Sequence, residues 1–258
     1  MNLEPTIKPR ETRARLVQFI EHEVARAGLE KAVVGLSGGV DSSLTAYLAV
    51  EALGLQHVWG IGMPYNTSSR SSIEDARLVT SSLNIHFDTI EITPQIDLYF
   101  ERFPEADRVR RGNKMARERM SILYDQSYVL EALVVGSSNR TEGLLGYTTL
   151  WGDMACAIAP LGALFKTQVR QLAREVGVPE RIIAKTPSAE LWPGQTDEGE
   201  LGFAYADVDR LLYGMLDLGL SDEQLVEEGF SPDFISRVRE IMRANEFKRR
   251  MPLVPELD

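Results

Sequence analysis

The stretch Gly35-Leu36-Ser37-Gly38-Gly39-Val40-Asp41-Ser42-Ser43 puts three glycines, three hydroxyls and one carboxylate into nine residues. Glycines let a backbone approach an anion closely. A following helix would aim free N–H groups and a partial positive charge at the same point. Ser37, Ser42 and Ser43 add hydroxyl donors, so the segment reads as a phosphate cradle. It has no lysine and so is not a Walker A loop, which needs G-x-x-x-x-G-K-[ST]. Asp41 places negative charge beside the anion, which is chemically sensible with a divalent cation between them. The same residues also fit the G-x-S-x-G nucleophile elbow. That reading requires an acid and then a histidine later in the chain, and the histidines are His22, His57 and His86. With no base after residue 86 the hydrolase reading fails, and a histidine-based zinc site fails with it.

The cradle needs a strand before it and a helix after it. KAVVGL (31–36) reads as a buried strand, and Leu44, Tyr47, Leu48 and Leu53 mark a helix stopped near Gly54. Further strands are expected at 57–63, 86–92 and 133–137. Helices are expected at 10–27, 72–83 and 113–132, around Val169–Val176 and Leu211–Leu216, and from Phe234 to Met242. Strands alternating with helices predict one doubly wound parallel sheet with helices on both faces. In such a sheet ligands bind at the carboxyl ends of the strands, which is where the cradle falls. Residues 187–202 lack periodicity and carry glycines and prolines. They are expected to form a mobile lid without a regular element.

The 258 residues suit a single domain spanning 1–258, with 44% hydrophobic and 26% charged residues. No apolar run is long enough to span a membrane, and the charged N-terminus has no signal-peptide core. The lone cysteine, Cys156, suits a reducing, cytoplasmic setting. A net charge of −10 argues against a long polyanion as partner, so no nucleic acid is expected. A basic run from Arg108 to Arg119 and the cluster Lys248-Arg249-Arg250 leave room for a small nucleotide, although such runs are often solvated faces.

S-G-G-V-D-S resembles the loop of the N-type ATP pyrophosphatases, the PP-loop enzymes, which transfer AMP and release pyrophosphate. Gly112-Asn113-Lys114-Met115-Ala116-Arg117, Gly136-Ser137-Ser138-Asn139-Arg140-Thr141-Glu142 with Gly152-Asp153, and Pro187 to Glu198 are similar to NAD synthetases within that superfamily. The likeness covers about residues 10–252 and implies an adenine nucleotide alpha-hydrolase-like fold. It implies a ligase that adenylates the carboxylate of deamido-NAD with ATP and then amidates it with ammonia, giving NAD, AMP and pyrophosphate. Residue by residue, Gly35, Leu36, Ser37, Gly38, Gly39, Val40, Asp41 and Ser42 would hold the ATP phosphates, with Ser137, Lys166 and Ser188 also on ATP. Asp41 and Glu142 would bind Mg²⁺. Arg117 and Lys248 would contact deamido-NAD, and Asp153 would hold ammonium. Asp153 and Lys166 are thus the expected catalytic residues.

The chain departs from many ammonia-using relatives at Leu150 and Ala157, where those carry Lys and Asp, and at Phe247, where they carry His. Gly152-Asp153-Met154-Ala155 looks closer to glutamine-dependent relatives, which leaves room for a separate ammonia-supplying amidase. A homodimer is implied, with the dinucleotide near the subunit interface. A tRNA-thiolating PP-loop enzyme would bring more cysteines or an RNA-binding part. A nucleotide-binding stress module would have no use for Asp41 together with Glu142.

Overall fold

The computed structural model describes residues 2–192 and 194–256. Four strands, β1 (Lys31–Gly35), β2 (Val58–Gly62), β3 (His86–Thr89) and β4 (Ala132–Val135), form one sheet in the order β3-β2-β1-β4. Every pairing is parallel, with Ala32 opposite Val58 on one side and Leu133 on the other. The chain therefore runs outward from β1 to β3 and then returns to the far side of β1. The reversal opens a crevice between the carboxyl ends of β1 and β4.

Side chains of β1 alternate between the two faces, as a strand period of two requires. Ala32 and Val34 join a core with Ile20 and Val24 of α1 (Pro9–Arg26), Leu44 and Leu48 of α2 (Val40–Leu53), Val79 of α3 (Arg70–Leu83) and Val169 and Leu172 of α7 (Lys166–Val176). Val33 faces the opposite core, with Ile96 and Phe100 of α4 (Thr93–Phe100) and Met115, Met120 and Leu123 of α5 (Arg108–Leu130). Helices thus cover both faces of a parallel sheet, as the sequence pattern predicts. A third core of helices lies beyond the sheet. It joins Leu145 of α6 (Arg140–Leu145), Tyr205, Leu211 and Leu212 of α10 (Tyr205–Leu216), Leu225 of α11 (Asp222–Glu227) and Val238 of α12 (Pro232–Ala244).

Differences from expectation have local causes. β3 ends at Thr89 instead of running to 92, because its partner β2 stops at Gly62 just ahead of Pro64, which has no N–H. Ile90 still donates to the carbonyl of Gly62 at 2.8 Å. The fourth helix and the short helices α6, α8 (Glu180–Ile183) and α11 escape the periodicity reading, since four to eight residues hold too few turns to show a stripe. The segment 187–202 is not wholly irregular either. Asp197–Leu201 forms α9, with the Thr196 side chain accepting from the N–H of Gly199. Pro193 of that segment lies outside the described residues. No helix among the described residues is long and apolar enough to cross a membrane.

Candidate active site

The loop after β1 enters α2 through Gly39, whose side makes no cap, so the first-turn N–H groups of a 14-residue helix have no side-chain partner. Gly38 has φ +77°, and a Cβ there would sit 2.2 Å from the carbonyl oxygen of Ser72. Only glycine lets the loop lie this close to the start of α3. Inside the loop Ser42 Oγ accepts from Ser37 N–H at 3.3 Å and donates to the Gly39 carbonyl at 3.1 Å. These bonds set a concave turn.

The loop after β4 faces it across the crevice. Asn139 caps α6 by accepting from Glu142 N–H at 3.1 Å, and Glu142 Oε2 accepts in return from Asn139 N–H at 3.4 Å. This capping box aims the second oxygen of Glu142 inward. Asn139 Nδ2 also donates to Asp41 Oδ1 at 2.9 Å and so joins the two loops. Lys166 opens α7, and its N–H donates to Thr141 Oγ1 at 3.0 Å. Thr141 in turn donates to the buried Asp209 at 2.6 Å. Lys166 Nζ, 3% exposed, lies 2.5 Å from Asp41 Oδ2 and 3.1 Å from Glu142 Oε1.

The two carboxylates therefore converge on one point, and the lysine ammonium stands there. Burial lowers the Lys166 pKa, but Asp41 and Glu142 more than reverse this, holding it charged and above its ordinary value. Burial pushes Glu142 up to about 7, against the pull of Lys166 and with the push of Asp41. Asp197 adds a third carboxylate nearby. Its Oδ2 accepts from Tyr205 at 3.1 Å, and its buried Oδ1 has no partner. A convergent pair suits a small hard cation. Among the described residues no group of three or more His, Cys, Asp or Glu side chains is arranged to hold a metal, so other ligands would have to come from phosphate and water.

These groups line a cavity of about 540 Å³. Gly35, Leu36, Ser37, Gly39, Val40, Asp41, Ser42, Ser137, Glu142, Asp153, Lys166, Ser188 and Lys248 all border it. Gly38 is not among the lining residues and packs against Ser72 at the start of α3. Arg117 is not among the lining residues, and its Nε donates to the Leu150 carbonyl at 3.1 Å. Lys248 borders the cavity but donates to the carbonyls of Gly146 and Thr148 at 2.7 and 3.0 Å. Asp153 Oδ1 accepts from Thr149 N–H at 2.7 Å, and burial raises its pKa. Ser188 Oγ donates to the Gln195 carbonyl at 2.8 Å, within the segment 187–202 itself.

The basic runs are largely spoken for. Arg110 stacks on Phe103, Arg111 on Phe100 and Arg108 on Trp192, and Lys114 pairs with Glu118. Arg119 borders the cavity, donates to the Met63 carbonyl at 3.0 Å, and is lowered to about 10 by burial. His57 bonds the Leu53 carbonyl and His86 stacks on Trp59, so both are structural.

Sequence reasoning gave no role to Asn139, Asp197 or Glu190. Asn139 had a usable signal, since N-x-x-E before an apolar pair is a capping box. Glu190, at φ +49°, ties its loop to α3: its carboxylate accepts from Ser69 Oγ at 3.1 Å and from Ser72 Oγ. Lys185 donates to Ser72 Oγ and to Asp75. No local spacing announces such a contact.

A parallel sheet with an uncapped glycine–serine turn at its switch point, facing two carboxylates and a lysine, defines a nucleotide-binding α/β protein of the PP-loop kind. The comparisons narrow the class. Residues 12–252 match the NAD synthase family. An NH(3)-dependent NAD(+) synthetase from Trichlorobacter lovleyi is 51% identical over 95% of this chain and 90% of its own. Among solved structures, an NMN synthetase from Francisella tularensis superposes with a TM-score of 0.87 at 33% identity, covering 97% of this chain and all of the other. An NH3-dependent NAD synthetase from Campylobacter jejuni gives 0.83 at 33% identity with the same coverage. The chain belongs to the NAD synthase family.

Proposed function

We propose that this chain amidates the nicotinate carboxylate of deamido-NAD with ammonia at the expense of ATP, through an acyl-adenylate, releasing AMP and pyrophosphate. The observation that carries the reading is the convergence of Glu142 and Lys166 on Asp41 at the uncapped start of α2, in the same cavity as Asp153.

The N–H groups at the start of α2 and the Ser37 and Ser42 hydroxyls receive the β- and γ-phosphates, with Ser137 and Ser188 on the flanks. Asp41 and Glu142 are the residues that would hold Mg²⁺, which when bound supplies positive charge to the departing pyrophosphate. Lys166 then exchanges its carboxylate partners for phosphate oxygens. Asp153, its pKa raised by burial, takes a proton as the ammonia nitrogen bonds to the acyl carbon. The acyl C–O bond breaks and its electron pair leaves with AMP. Arg117 and Lys248 hold the nicotinate-bearing substrate, which requires both to leave their carbonyl partners. Residues 187–202 close as a lid over the anhydride, which water would otherwise destroy. Protease cleavage in that segment should slow when ATP and deamido-NAD are bound, and equal cleavage with and without them would remove the lid.

A second copy of the chain suits Tyr124, Tyr128, Val129 and Trp151, which are large, apolar and exposed on and beside α5. A cytosolic setting, with ammonia free or delivered by a separate amidase, fits the single free Cys156.

The test is formation of AMP and NAD from deamido-NAD, ATP, Mg²⁺ and ammonium. No AMP above background would overturn the reading. A parallel arm with nicotinate mononucleotide is warranted by the Francisella tularensis NMN synthetase and by the uncharged Leu150 and Ala157. A higher kcat/KM for the mononucleotide would reassign the substrate without changing the chemistry.

A further inference from the structure

A second cavity, of about 370 Å³, is bordered by Gly143 and Leu144 of α6, by Met154 and Cys156, and by Ala159 and Gly162. Ser138 and Thr148 wall both this cavity and the main one. The turn between Thr148 and Cys156 divides them: Asp153 lines the main cavity and its neighbour Met154 lines the second. Resting on the reading above, we infer that the second cavity is the way by which ammonia reaches the acyl-adenylate once the lid spans the main mouth.

Three observations carry this. First, the lid segment reaches across the main mouth. Glu190 is bonded to Ser69 at the start of α3, Leu191 lies against Gly112 of α5, and Trp192 stacks on Arg108. An anhydride shielded in this way from bulk water is also shielded from a dissolved nucleophile arriving by the same side. Second, the second cavity's lining fits a small neutral molecule. It contains a thioether, a thiol, methyl groups, two hydroxyls and the Asn139 carboxamide, and no acid. Its two cations are committed elsewhere: Arg140 to Asp217 and the Phe165 ring, Arg249 to the carbonyls of Leu144 and Met242. A lining without a carboxylate gives ammonium no counter-ion and leaves neutral ammonia free to pass, and a bare ammonium is costly to take out of water besides. Third, the dividing turn carries Asp153, the group placed to take the proton as ammonia attacks. Thr148, which walls both cavities, adjoins Thr149, whose N–H donates to Asp153 Oδ1 at 2.7 Å, so that carboxylate stands beside the shared wall.

The walls can be filled without displacing anything. A Cβ at Gly143 meets nothing within 4 Å, and one at Gly162 meets only the Ala159 methyl at 3.8 Å. Gly143→Leu and Gly162→Leu should each raise the KM for ammonium about ten-fold and lower the NAD formed per AMP at low ammonium, as water takes the adenylate instead. ATP–pyrophosphate exchange with deamido-NAD in the absence of ammonia should be unchanged, and saturating ammonium should restore kcat. Two variants on separate elements guard against one that does not fold. An unaltered ammonium KM in a folded variant of either wall, with wild-type turnover intact, overturns the route alone. So does a loss of pyrophosphate exchange in step with the loss of NAD. A wild-type chain that forms no AMP overturns the proposed function and the route with it.

Discussion

The two ends of the main cavity are built on different logic. At the cradle end, side chains answer one another: Asp41, Asn139, Glu142 and Lys166 meet within 3.1 Å contacts, each aimed by a cap or a buried partner behind it. At the far end, around residues 146–150, charged side chains answer the backbone: Lys248, which borders the cavity, holds the Gly146 and Thr148 carbonyls, and Arg117, outside its lining, holds that of Leu150. The first arrangement stores a charge geometry before any substrate arrives. The second stabilises a turn and must be partly undone for its cations to touch a ligand. A site can thus be rigid where the chemistry is fixed and adaptable where the substrate's bulk varies.

Asp41→Asn should separate the ends most sharply. It keeps shape but removes one of the two converging charges, and lost electrostatic stabilisation of this kind costs about 10²-fold or more in rate. The fold should persist, read by circular dichroism alongside AMP formation. Near-normal turnover at low Mg²⁺ would mean the cradle end is not the electrostatic centre.

Lys166→Met should be next in size. It leaves two buried carboxylates without their counter-charge, and removing one partner of a buried pair costs about 3–5 kcal/mol. The variant's melting temperature should fall and then rise with added Mg²⁺, while the ligand-free wild type should show little response. An unresponsive variant would show that the carboxylates do not form a cation site.

The pH dependence of the ligand-free fold sharpens the same point. Glu142 has a native pKa of about 7 against an ordinary 4.5. Between those values the unfolded chain has released the proton and the native chain still holds it, so stability falls as pH rises from about 5 to about 7 and then levels off. Glu142→Gln should flatten that part of the melting profile. A wild-type profile already flat over this window would place Glu142 in a wetter site.

Lys248→Ala should give the smallest effect and test the far end. Loss of two bonds from a charged donor should cost about 1.5–3 kcal/mol of stability at most. The KM for the nicotinate substrate should rise, with pyrophosphate exchange at saturating substrate nearly unchanged. A fall in exchange as large as that of Asp41→Asn would erase the distinction between the ends.

This contrast also explains what could be read from the chain alone. The cradle was legible because glycines, hydroxyls and a carboxylate at a strand–helix junction have few other uses, whereas Glu142 was named only through its likeness to a family motif. The parallel sheet was legible because KAVVG and ALVV are short apolar runs between helical stripes. Arg117 and Lys248 were named by motif, and the motif carried no information about which backbone carbonyls would engage them. Glu190 could not be found at all, since its partners lie 118 and 121 residues away. The basic run of α5 could not be resolved from charge alone for a related reason: Arg110 and Arg111 meet aromatic rings at positions that charge counting does not see.

Lys166 lodged between Asp41 and Glu142 has a consequence for the life of the protein in a cell. A site that carries its own cation needs no metal to survive biosynthesis, storage or transient starvation. On the proposed assignment of Mg²⁺ to Asp41 and Glu142, scarcity of magnesium would leave such a chain idle but folded, and resupply would return it to work.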